Sequence, residues 1–564
     1  MVDLTVLAED WIAGDPDPET RAELRQILDA GDEAELEERM GTTLLFGTAG
    51  LRGRVEAGSN RMNRATVIRA TRGLADYLLA SASEDGGLVV VGRDARLSSA
   101  VFMDEVIAVL VAAGFHVRYF ADPTPTPLVA YAAKRLGAVT AVVVTASHNP
   151  PDDNGYKVYA ANWAQIVPPT DQEIAAAIAE VGPAINVPRS EIVGNHAREL
   201  GPTLFEDYLR DVGETVPTIG SDRSLRIVYT AMHGVGGRFV LAALKRFGFS
   251  NVHPVAAQLE PDGRFPTVAF PNPEEPGAMD RAHELAAAID ADLVLANDPD
   301  TDRLAVSLPE PDGRYHQLTG NQIGALLAEF ILSHGEQEAP IVINSIVSSP
   351  MLRSIADDHG AVYDRTLTGF KWIWNAALDL EAEGRGHFVF GYEEALGYSV
   401  GPAVRDKDGI SAAVAFAMLA ADARANGATV WDRLGDLFNR HGVWVSAQHA
   451  IVRPGAQGAE EIAAAMAGLV TATPDTLAEL PVIAVTDYRQ GKDQRPRYLG
   501  GTPLVAFDLG EAGRALVRPS GTEPKLKIYV DLRADAGDDW RATEERIVET
   551  AAAVATDVAA FMGF

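Results

Sequence analysis

The stretch AVTAVVVTASHNP, residues 138–150, decides the fold class. It begins with a short apolar run rich in β-branched residues, which is typical of a buried strand, and it ends in a polar loop. The same design recurs in four other stretches, LVVVGRD (88–94), LRIVYTAMHGVGG (225–237), ADLVLANDPDTDR (291–303) and APIVINSIVSS (339–349). We expect all five runs to be buried strands of parallel sheets.

Segments with helical periodicity separate these strands. Residues 100–114, 238–248 and 323–335 carry apolar side chains at spacings of three and four. Regular alternation of strand and helix predicts α/β domains with parallel sheets. Ligands bind at the carboxyl ends of the strands in such sheets, so the residues that follow each strand are the first candidates for a functional site.

The pattern changes from about residue 445 onward. Four strand-like segments follow there, VWVSAQHAIVRP, PLVAFDLG, RALVRPS and KLKIYVDLRA, with a helical segment after the first. This order predicts an α+β domain with an antiparallel sheet. At ~150 residues per domain, a chain of 564 residues should have about four domains. We place them at 1–205, which includes an N-terminal helical extension, 206–316, 317–442 and 443–564.

The composition excludes several classes of partner and chemistry. Lys and Arg number 48 against 79 Asp and Glu, a net charge of −31, so nucleic acid and anionic membrane surfaces are poor partners. An anionic substrate would need a local cluster of cations. The chain has no Cys, which excludes disulfides and thiolate chemistry. Its first residues do not resemble a signal peptide and no apolar run reaches ~20 residues, so we expect a cytoplasmic protein.

A hydroxyl beside an imidazole follows the first strand quoted above. Ser147 and His148 lie in TASHNP, directly after the apolar run. Ser147 is a candidate nucleophile, but the loop is not the G-x-S-x-G turn of a hydrolase, which disfavours acyl transfer. Taken alone, the pair could also be an ordinary polar turn ended by Asn-Pro.

Three carboxylates alternate after another predicted strand. Asp298, Asp300 and Asp302 would repel one another unless a cation lies among them, and an oxygen-only ligand set favours Mg²⁺ over Zn²⁺. An EF-hand loop that begins at Asp298 would need Gly and Glu where this chain has Arg303 and Pro309. The alternative is a solvated acidic turn.

A further loop, near residue 520, could bind a phosphate group. Arg518, Ser520, Gly521 and Thr522 offer a guanidinium, two hydroxyls and a close backbone approach, which suit a phosphate. The alternative for this loop is a plain turn between two strands.

Adjacent carboxylates follow the apolar run HFVF. Glu393 and Glu394 could accept hydrogen bonds from sugar hydroxyls, or they could lie at the rim of a packed aromatic cluster. The glycine-rich segment 46–54 surrounds Arg52 and Arg54, and its simplest interpretation is a mobile turn.

The five segments lie near residues 50, 147, 300, 394 and 520, so each predicted domain contributes at least one. Together they resemble the α-D-phosphohexomutase superfamily, which includes phosphoglucomutase and phosphomannomutase, from about residue 40 to the C-terminus. The resemblance implies four domains around a central cleft. Three are mixed α/β domains with largely parallel sheets, and the fourth is an α+β domain with an antiparallel sheet.

The resemblance also implies a role for each motif. Ser147 would carry a phosphoryl group, and Mg²⁺ would be bound there by Ser147, Asp298, Asp300 and Asp302. The other catalytic candidates, three of them possible bases, are His148, Lys157, Lys407 and Arg52. The substrate-binding candidates are Arg303, Thr368, Gly369, Lys371, Glu393, Glu394, Arg518, Ser520, Gly521 and Thr522.

The implied activity is a phosphosugar mutase that interconverts the 1-phosphate and 6-phosphate of glucose or mannose. A sugar 1,6-bisphosphate would serve as intermediate and activator. Ala395 stands where glucose-specific relatives have Ser, and NGYKVY with EEALGY looks closest to a branch that also contains pentose phosphomutases. A phosphopentomutase is therefore the alternative, followed by a sugar-phosphate binding protein without turnover. We expect small-molecule partners only, and a monomer or homodimer.

Overall fold

The computed structural model describes residues 3–81, 86–190, 196–219, 222–453, 455–519 and 525–564. They fall into two compact units. Unit 1 comprises the chain up to Thr218 together with Asp222–Gln317 and Tyr398–Ala417. Unit 2 comprises chiefly Leu318–Gly397 and Met418–Phe564.

Helices are distributed along the whole chain, as the sequence periodicity predicts. The helices of the described residues are α1 (Leu4–Gly14), α2 (Pro18–Ala30), α3 (Glu33–Met40), α4 (Arg64–Ser81), α5 (Ser99–Ala112), α6 (Thr126–Leu136), α7 (Thr170–Ala179), α8 (Thr203–Gly213), α9 (Gly237–Arg246), α10 (Ala256–Leu259), α11 (Asp280–Ile289), α12 (Gly320–His334), α13 (Met351–Asp358), α14 (Phe370–Ala382), α15 (Gly409–Ala425), α16 (Val430–His441), α17 (Gly455–Thr471) and α18 (Trp540–Phe561).

Strands alternate with these helices until the C-terminal part. The strands of the described residues are β1 (Leu51–Arg54), β2 (Leu88–Arg93), β3 (His116–Tyr119), β4 (Thr140–Val144), β5 (Asp153–Tyr159), β6 (Ala197–Glu199), β7 (Ile227–Thr230), β8 (Val252–Pro254), β9 (Leu293–Ala296), β10 (Ala305–Pro309), β11 (Tyr315–Gln317), β12 (Pro340–Ser345), β13 (Val362–Thr366), β14 (His387–Glu393), β15 (Gly397–Val400), β16 (Val443–Val452), β17 (Thr476–Leu477), β18 (Leu480–Pro481), β19 (Ala484–Asp487), β20 (Val505–Asp508), β21 (Gly513–Pro519) and β22 (Lys525–Ala534).

The first sheet of unit 1 has the strand order β1-β5-β4-β2-β3-β6. Strands β4, β2, β3 and β6 are parallel. The apolar residues of β2 and β4 are buried against α4 and α5, and α6 contacts both of these strands. Strands β5 and β1 continue the sheet in antiparallel orientation. Their register pairs Val143 with Lys157, so Lys157 lies beside the carboxyl end of β4.

The second sheet of unit 1 has the order β11-β10-β9-β7-β8. Strands β9 and β7 are parallel, as predicted, and β8, which was not predicted, is parallel to β7. Strands β10 and β11 are antiparallel to their neighbours. The two loops with the strongest functional signals, 145–152 and 297–304, therefore each join a parallel strand to an antiparallel neighbour. A short loop permits this because only parallel neighbours need a long crossover.

Unit 2 contains the third and fourth sheets. In the third, β12 is parallel to β13 on one side and to β14 on the other. The fourth has the order β16-β22-β21-β20-β19, entirely antiparallel, with α18 packed on β16 and β22. The prediction of three mixed α/β sheets and a C-terminal antiparallel sheet is confirmed.

Helices α1 to α3 precede the first sheet and have a small apolar core of their own. Ala8, Leu24, Leu36 and Met40 are buried there, together with Ala57. These helices form because capping aspartates accept hydrogen bonds from the first free N–H groups of all three, as at Asp17, which precedes Pro18.

Candidate active site

Ser147 lies in the loop that follows β4, and its side chain points at the acidic triplet. Its hydroxyl donates to Oδ2 of Asp298 over 3.0 Å and lies 3.2 Å from Nδ1 of His148. The backbone of Ser147 has a φ of 52°, a left-handed conformation that costs a non-glycine residue ~1–3 kcal/mol. Surrounding contacts must therefore hold the loop in this shape.

Arg96 supplies those contacts. It is only 2% exposed, and it follows the end of β2 beside the serine loop. Its guanidinium donates over 2.6–2.8 Å to four carbonyl oxygens of that loop, those of Ser147, Asn149, Pro150 and Asp153. A fifth bond, from Nε, reaches Asp94 over 3.2 Å. The shape of the serine loop thus depends on one buried side chain.

Arg96 was not among the residues predicted for the site. The segment GRDAR (92–96) contains no cluster of hydroxyls or carboxylates, so its two arginines look like ordinary surface residues. Arg96 could have been found from its position in the sequence, because it follows the end of β2 just as Ser147 follows the end of β4. These two parallel strands are neighbours, so both segments emerge at the same edge of the sheet.

Replacing Arg96 with Lys should loosen the serine loop locally. Lysine has three donors for the five acceptors that Arg96 contacts, and each buried acceptor left unpaired costs ~1–3 kcal/mol. We expect amides of residues 145–155 to exchange hydrogen at least tenfold faster, measured by mass spectrometry. The control is Arg93→Lys, because among the described residues Arg93 donates hydrogen bonds to the carbonyls of Asp94 and Ala121, which lie outside the serine loop. Unchanged protection of the loop in Arg96→Lys would contradict this role.

The three carboxylates of Asp298, Asp300 and Asp302 are fully buried and converge. Each offers an oxygen, and these oxygens lie within 4.8 Å of one another. Lys157 donates to Asp300 over 2.7 Å and to Asp302 over 3.0 Å. Lys407 lies 3.2 Å from the same oxygen of Asp302. Because these carboxylates are buried, the structure does not support the alternative interpretation of the triplet as a solvated acidic turn.

Two oxygens of this cluster are unsatisfied. Within the described residues, Oδ1 of Asp300 and Oδ1 of Asp302 are buried and accept no hydrogen bond. Burial, reinforced by the charges of Asp300 and Asp302, raises the pKa of Asp298 well above its ordinary value. Orphaned carboxylate oxygens in an all-oxygen set fit a hard divalent cation such as Mg²⁺.

Besides the acidic triplet, cationic and neutral groups lie around Ser147. Burial lowers the pKa of His148 well below its ordinary value, with help from Arg303 and Arg52, so this imidazole is neutral at pH 7. Arg52 donates to Oδ1 of Asn149 over 3.0 Å. The main-chain N–H of Arg303 donates to Oδ1 of Asp298 over 3.0 Å. Burial lowers the pKa of Lys157, but the charges of Asp300 and Asp302 outweigh this effect and raise the pKa above its ordinary value. Lys157 is therefore an ammonium.

Two buried tyrosine–aspartate pairs flank Lys407. The hydroxyl of Tyr159 donates to Asp406 over 2.6 Å, and that of Tyr208 donates to Asp408 over 2.7 Å. Asp406 and Asp408 adjoin Lys407 in the sequence, so both pairs fix its backbone. Neither tyrosine was predicted as a site residue, because they lie ~200 or more positions from Lys407 and only the fold brings them together.

Unit 2 contains a second group of predicted residues. The N–H of Gly369 donates to Oε1 of Glu393 over 2.7 Å, and a Cβ added to Gly369 would lie 3.4 Å from Nζ of Lys371. Thr368 lies in the same turn. Glu394 differs from its neighbour, because its carboxylate accepts hydrogen bonds from two serine hydroxyls, those of Ser345 and Ser348. The two adjacent carboxylates therefore have different partners.

Arg518 belongs to the same group. It lies on β21 near the hydroxyl of Tyr529. Burial raises the pKa of Tyr529, as do the charges of Glu394 and Glu393, whereas Arg518 lowers it through charge and a hydrogen bond. Tyr529 is therefore influenced by the charges of both glutamates and of Arg518, and it was not predicted from the sequence. Ser520, Gly521 and Thr522 lie outside the described residues.

The order of the domains along the chain decides the family. Four domains of the phosphoglucomutase/phosphomannomutase family match the chain in succession. They are alpha/beta/alpha domain I at residues 43–183, domain II at 206–311, domain III at 319–441 and the C-terminal domain at 461–546. The chain belongs to this family. The expected resemblance and the expectation of an enzyme of the phosphomutase class are confirmed.

Members of the family with high similarity have several different names. A probable phosphoribomutase of Schizosaccharomyces pombe is 37% identical and matches over 95% of both chains. A probable phosphomannomutase of Haemophilus influenzae is 38% identical over 84% of this chain and 93% of its own. Among solved structures, the phosphoglucomutase parafusin of Paramecium shares the family fold, with a TM-score of 0.69, 18% identity and coverage of 93% and 96%. No described helix combines the length and the hydropathy that crossing a bilayer requires.

Proposed function

We propose that this family member interconverts a sugar 1-phosphate and its 6-phosphate through a phosphorylated Ser147. The observation that carries the proposal is the hydrogen bond from the buried Ser147 hydroxyl to Asp298 in the acidic triplet, which supports a role for this hydroxyl as nucleophile. A protein that only bound sugar phosphates would need no such phosphoryl carrier.

The proposed reaction transfers two different phosphoryl groups in turn, the first from Ser147 to the sugar and the second from the sugar back to Ser147. The phosphoserine gives its phosphoryl group to the free hydroxyl of the sugar monophosphate, so the bond from Oγ of Ser147 to phosphorus breaks and a new oxygen–phosphorus bond forms. The hydroxyl proton passes to a base, for which His148, Lys157 and Lys407 are the candidates. The resulting sugar 1,6-bisphosphate turns round, and its other phosphoryl group returns to Ser147, which makes the bisphosphate both intermediate and activator.

The residues around Ser147 support this chemistry electrostatically. Asp298, Asp300 and Asp302 would hold Mg²⁺, which when bound neutralises charge on the phosphoryl group. Arg303, on the loop of the acidic triplet, and Arg52, on β1, contribute positive charge beside these groups. Arg96 holds the serine loop in its left-handed turn, so the nucleophile needs no rearrangement before it reacts.

The second group of residues would bind the substrate. Glu393 is suited to sugar hydroxyls, and Gly369 orients it through a hydrogen bond. Lys371 lies beside that turn. We assign the phosphate that is not being transferred to Arg518, together with Ser520, Gly521 and Thr522, because a guanidinium forms bidentate bonds with phosphate.

Glucose or mannose phosphate is the first candidate substrate, and a pentose phosphate is the second. The second candidate is favoured by Ala395, which lacks the hydroxyl that glucose-specific relatives present, and by the similarity to the Schizosaccharomyces pombe phosphoribomutase. A panel separates them. The 1-phosphates of glucose, mannose, glucosamine and ribose would each be incubated with Mg²⁺ and the matching bisphosphate. Formation of 6-phosphate or 5-phosphate identifies the substrate, whereas release of inorganic phosphate would contradict a mutase.

Replacing Arg518 with Ala should raise KM and release the intermediate. A charge-assisted bidentate contact is worth ~1.5–3 kcal/mol, which corresponds to roughly a ten- to hundredfold loss in kcat/KM. Free sugar bisphosphate should accumulate, and added bisphosphate should partly restore the rate. The control is Arg533→Ala on the neighbouring strand, since Arg533 contacts the carbonyl of His441. Unchanged kinetics in Arg518→Ala, without bisphosphate release, would show that this loop is only a turn.

Other expectations stay predictions. They are the domain boundaries near 205, 316 and 442, the cytoplasmic location, and the monomeric or dimeric state.

A further inference from the structure

A cavity of about 650 Å³ lies in unit 1, away from the acidic triplet. Its walls come from α1, α4 and α7 and from the segment that precedes β1. Most of the lining is apolar and includes Leu7, Leu44, Phe46, Ala70 and Ile178. This volume is within the usual range for sites that enclose a small organic molecule.

Two N–H donors in this lining have no acceptor. Nε of Arg69 and Nε1 of Trp11 are buried, and neither makes a hydrogen bond among the described residues. The two side chains meet, with the guanidinium carbon 5.9 Å from the centre of the indole ring. Buried donors without acceptors are rare in folded proteins because each costs free energy. Two at one place indicate that an acceptor is supplied from outside the chain.

Arg69 also lacks a counter-ion. The arginines on either side of it along α4 are paired, Arg64 with Glu105 and Arg72 with Asp76. Arg69 forms no ion pair within the described residues, and its Nη2 donates only to the neutral carbonyl of Val181 over 3.1 Å. Burial alone lowers its pKa. An unpaired cation beside apolar walls calls for an anionic partner.

The wall formed by α1 lies outside the family match. That match begins at residue 43, whereas Leu7 and Trp11 precede it. The cavity therefore combines one wall from the N-terminal helices with others from the first family domain. It is not part of the acidic triplet or of the serine loop.

We propose that this cavity binds a small organic anion with an apolar body, its carboxylate or equivalent acceptor bound by Arg69 and Trp11. The apolar lining would enclose the body, and the exposed Asp10 at the rim disfavours a second negative charge on the ligand. The inference does not depend on the proposed reaction.

Calorimetric titration of the full chain tests the site. The probes are octanoate and 4-phenylbutyrate, each compared with its neutral alcohol, octanol or 4-phenylbutanol. We expect the carboxylates to bind tighter than the alcohols. Arg69→Gln should weaken carboxylate binding about tenfold or more, since a hydrogen bond to a charged group is lost. The matched control is Arg72→Gln on the same helix, which should bind like the wild type.

A second variant guards against misfolding of the first. Trp11→Phe keeps an aromatic ring but removes the pyrrole ring with its N–H, and it should weaken carboxylate binding severalfold. Circular dichroism establishes that each variant is folded. No binding to the wild type, carboxylates bound no tighter than alcohols, or equal binding by folded Arg69→Gln would each overturn the proposal. None of these measurements uses mutase activity.

Discussion

The Ser147→Ala variant is expected to lose at least about 10⁴-fold of mutase turnover while it keeps its fold. Removing a covalent nucleophile removes the whole double-transfer route, and losses for nucleophiles in other enzymes reach this size. The substitution deletes only a hydroxyl, so the hydrogen bonds from Arg96 to the loop carbonyls are preserved. Wild-type protein incubated with bisphosphate should gain one phosphoryl group by intact mass, mapped to the peptide that contains Ser147.

A serine far from the loop provides the control. Ser81 is exposed at the end of α4, and Ser81→Ala should become phosphorylated and turn over normally. If Ser147→Ala turns over like the wild type, or if phosphate maps elsewhere, Ser147 has no part in the mechanism.

The Asp300→Asn variant is expected to lose roughly 10²- to 10³-fold of its Mg²⁺-dependent rate, a loss comparable with removal of one preorganised electrostatic group. Asparagine has the same shape, and it relieves repulsion in a fully buried triplet, so the variant should fold. Its amide oxygen can still accept from Thr126, which now donates to Asp300 over 2.7 Å. Lys157 keeps its contact with Asp302.

Metal binding by this variant can be measured without turnover. A cation that binds only the native state raises the melting temperature by mass action, so Mg²⁺ should stabilise the wild type and have little effect on Asp300→Asn. The control is Asp312→Asn, an exposed aspartate paired with Arg314, which should respond to Mg²⁺ like the wild type. An Asp300→Asn variant with unchanged metal titration and rate would reduce the triplet to a structural feature.

The sequence predicted the strands and the loops after them because apolar β-branched runs and polar loops are local signals. Ser147 and Asp298 each follow such a run, and both are where the pattern placed them. The local patterns alone did not predict their mutual contact, since the two loops belong to different sheets and only packing brings them within 3.0 Å. The expectation that they act together came from the family resemblance.

Residues that hold other site residues in place were not predicted either, because their contacts also form only when the chain packs. Arg96 has no motif, and its importance comes from five acceptors that the fold collects around it. The difference between Glu393 and Glu394 is also invisible in the sequence, because it depends on the partners that each carboxylate meets, Gly369 for the first and serine hydroxyls for the second. The hydrogen bond between Tyr208 and Asp408 was not predicted either, because the two residues lie far apart in the sequence.

The Arg96 clamp contacts only main-chain atoms of the serine loop. Carbonyl oxygens are present whatever side chains the loop carries, so the turn can be inherited unchanged while residues on it are exchanged. The backbone of the loop can therefore carry different reactive side chains in the same position. For protein engineering, position 147 should accept cysteine or aspartate without redesign of the backbone, so that other reactions can be tested in this fold.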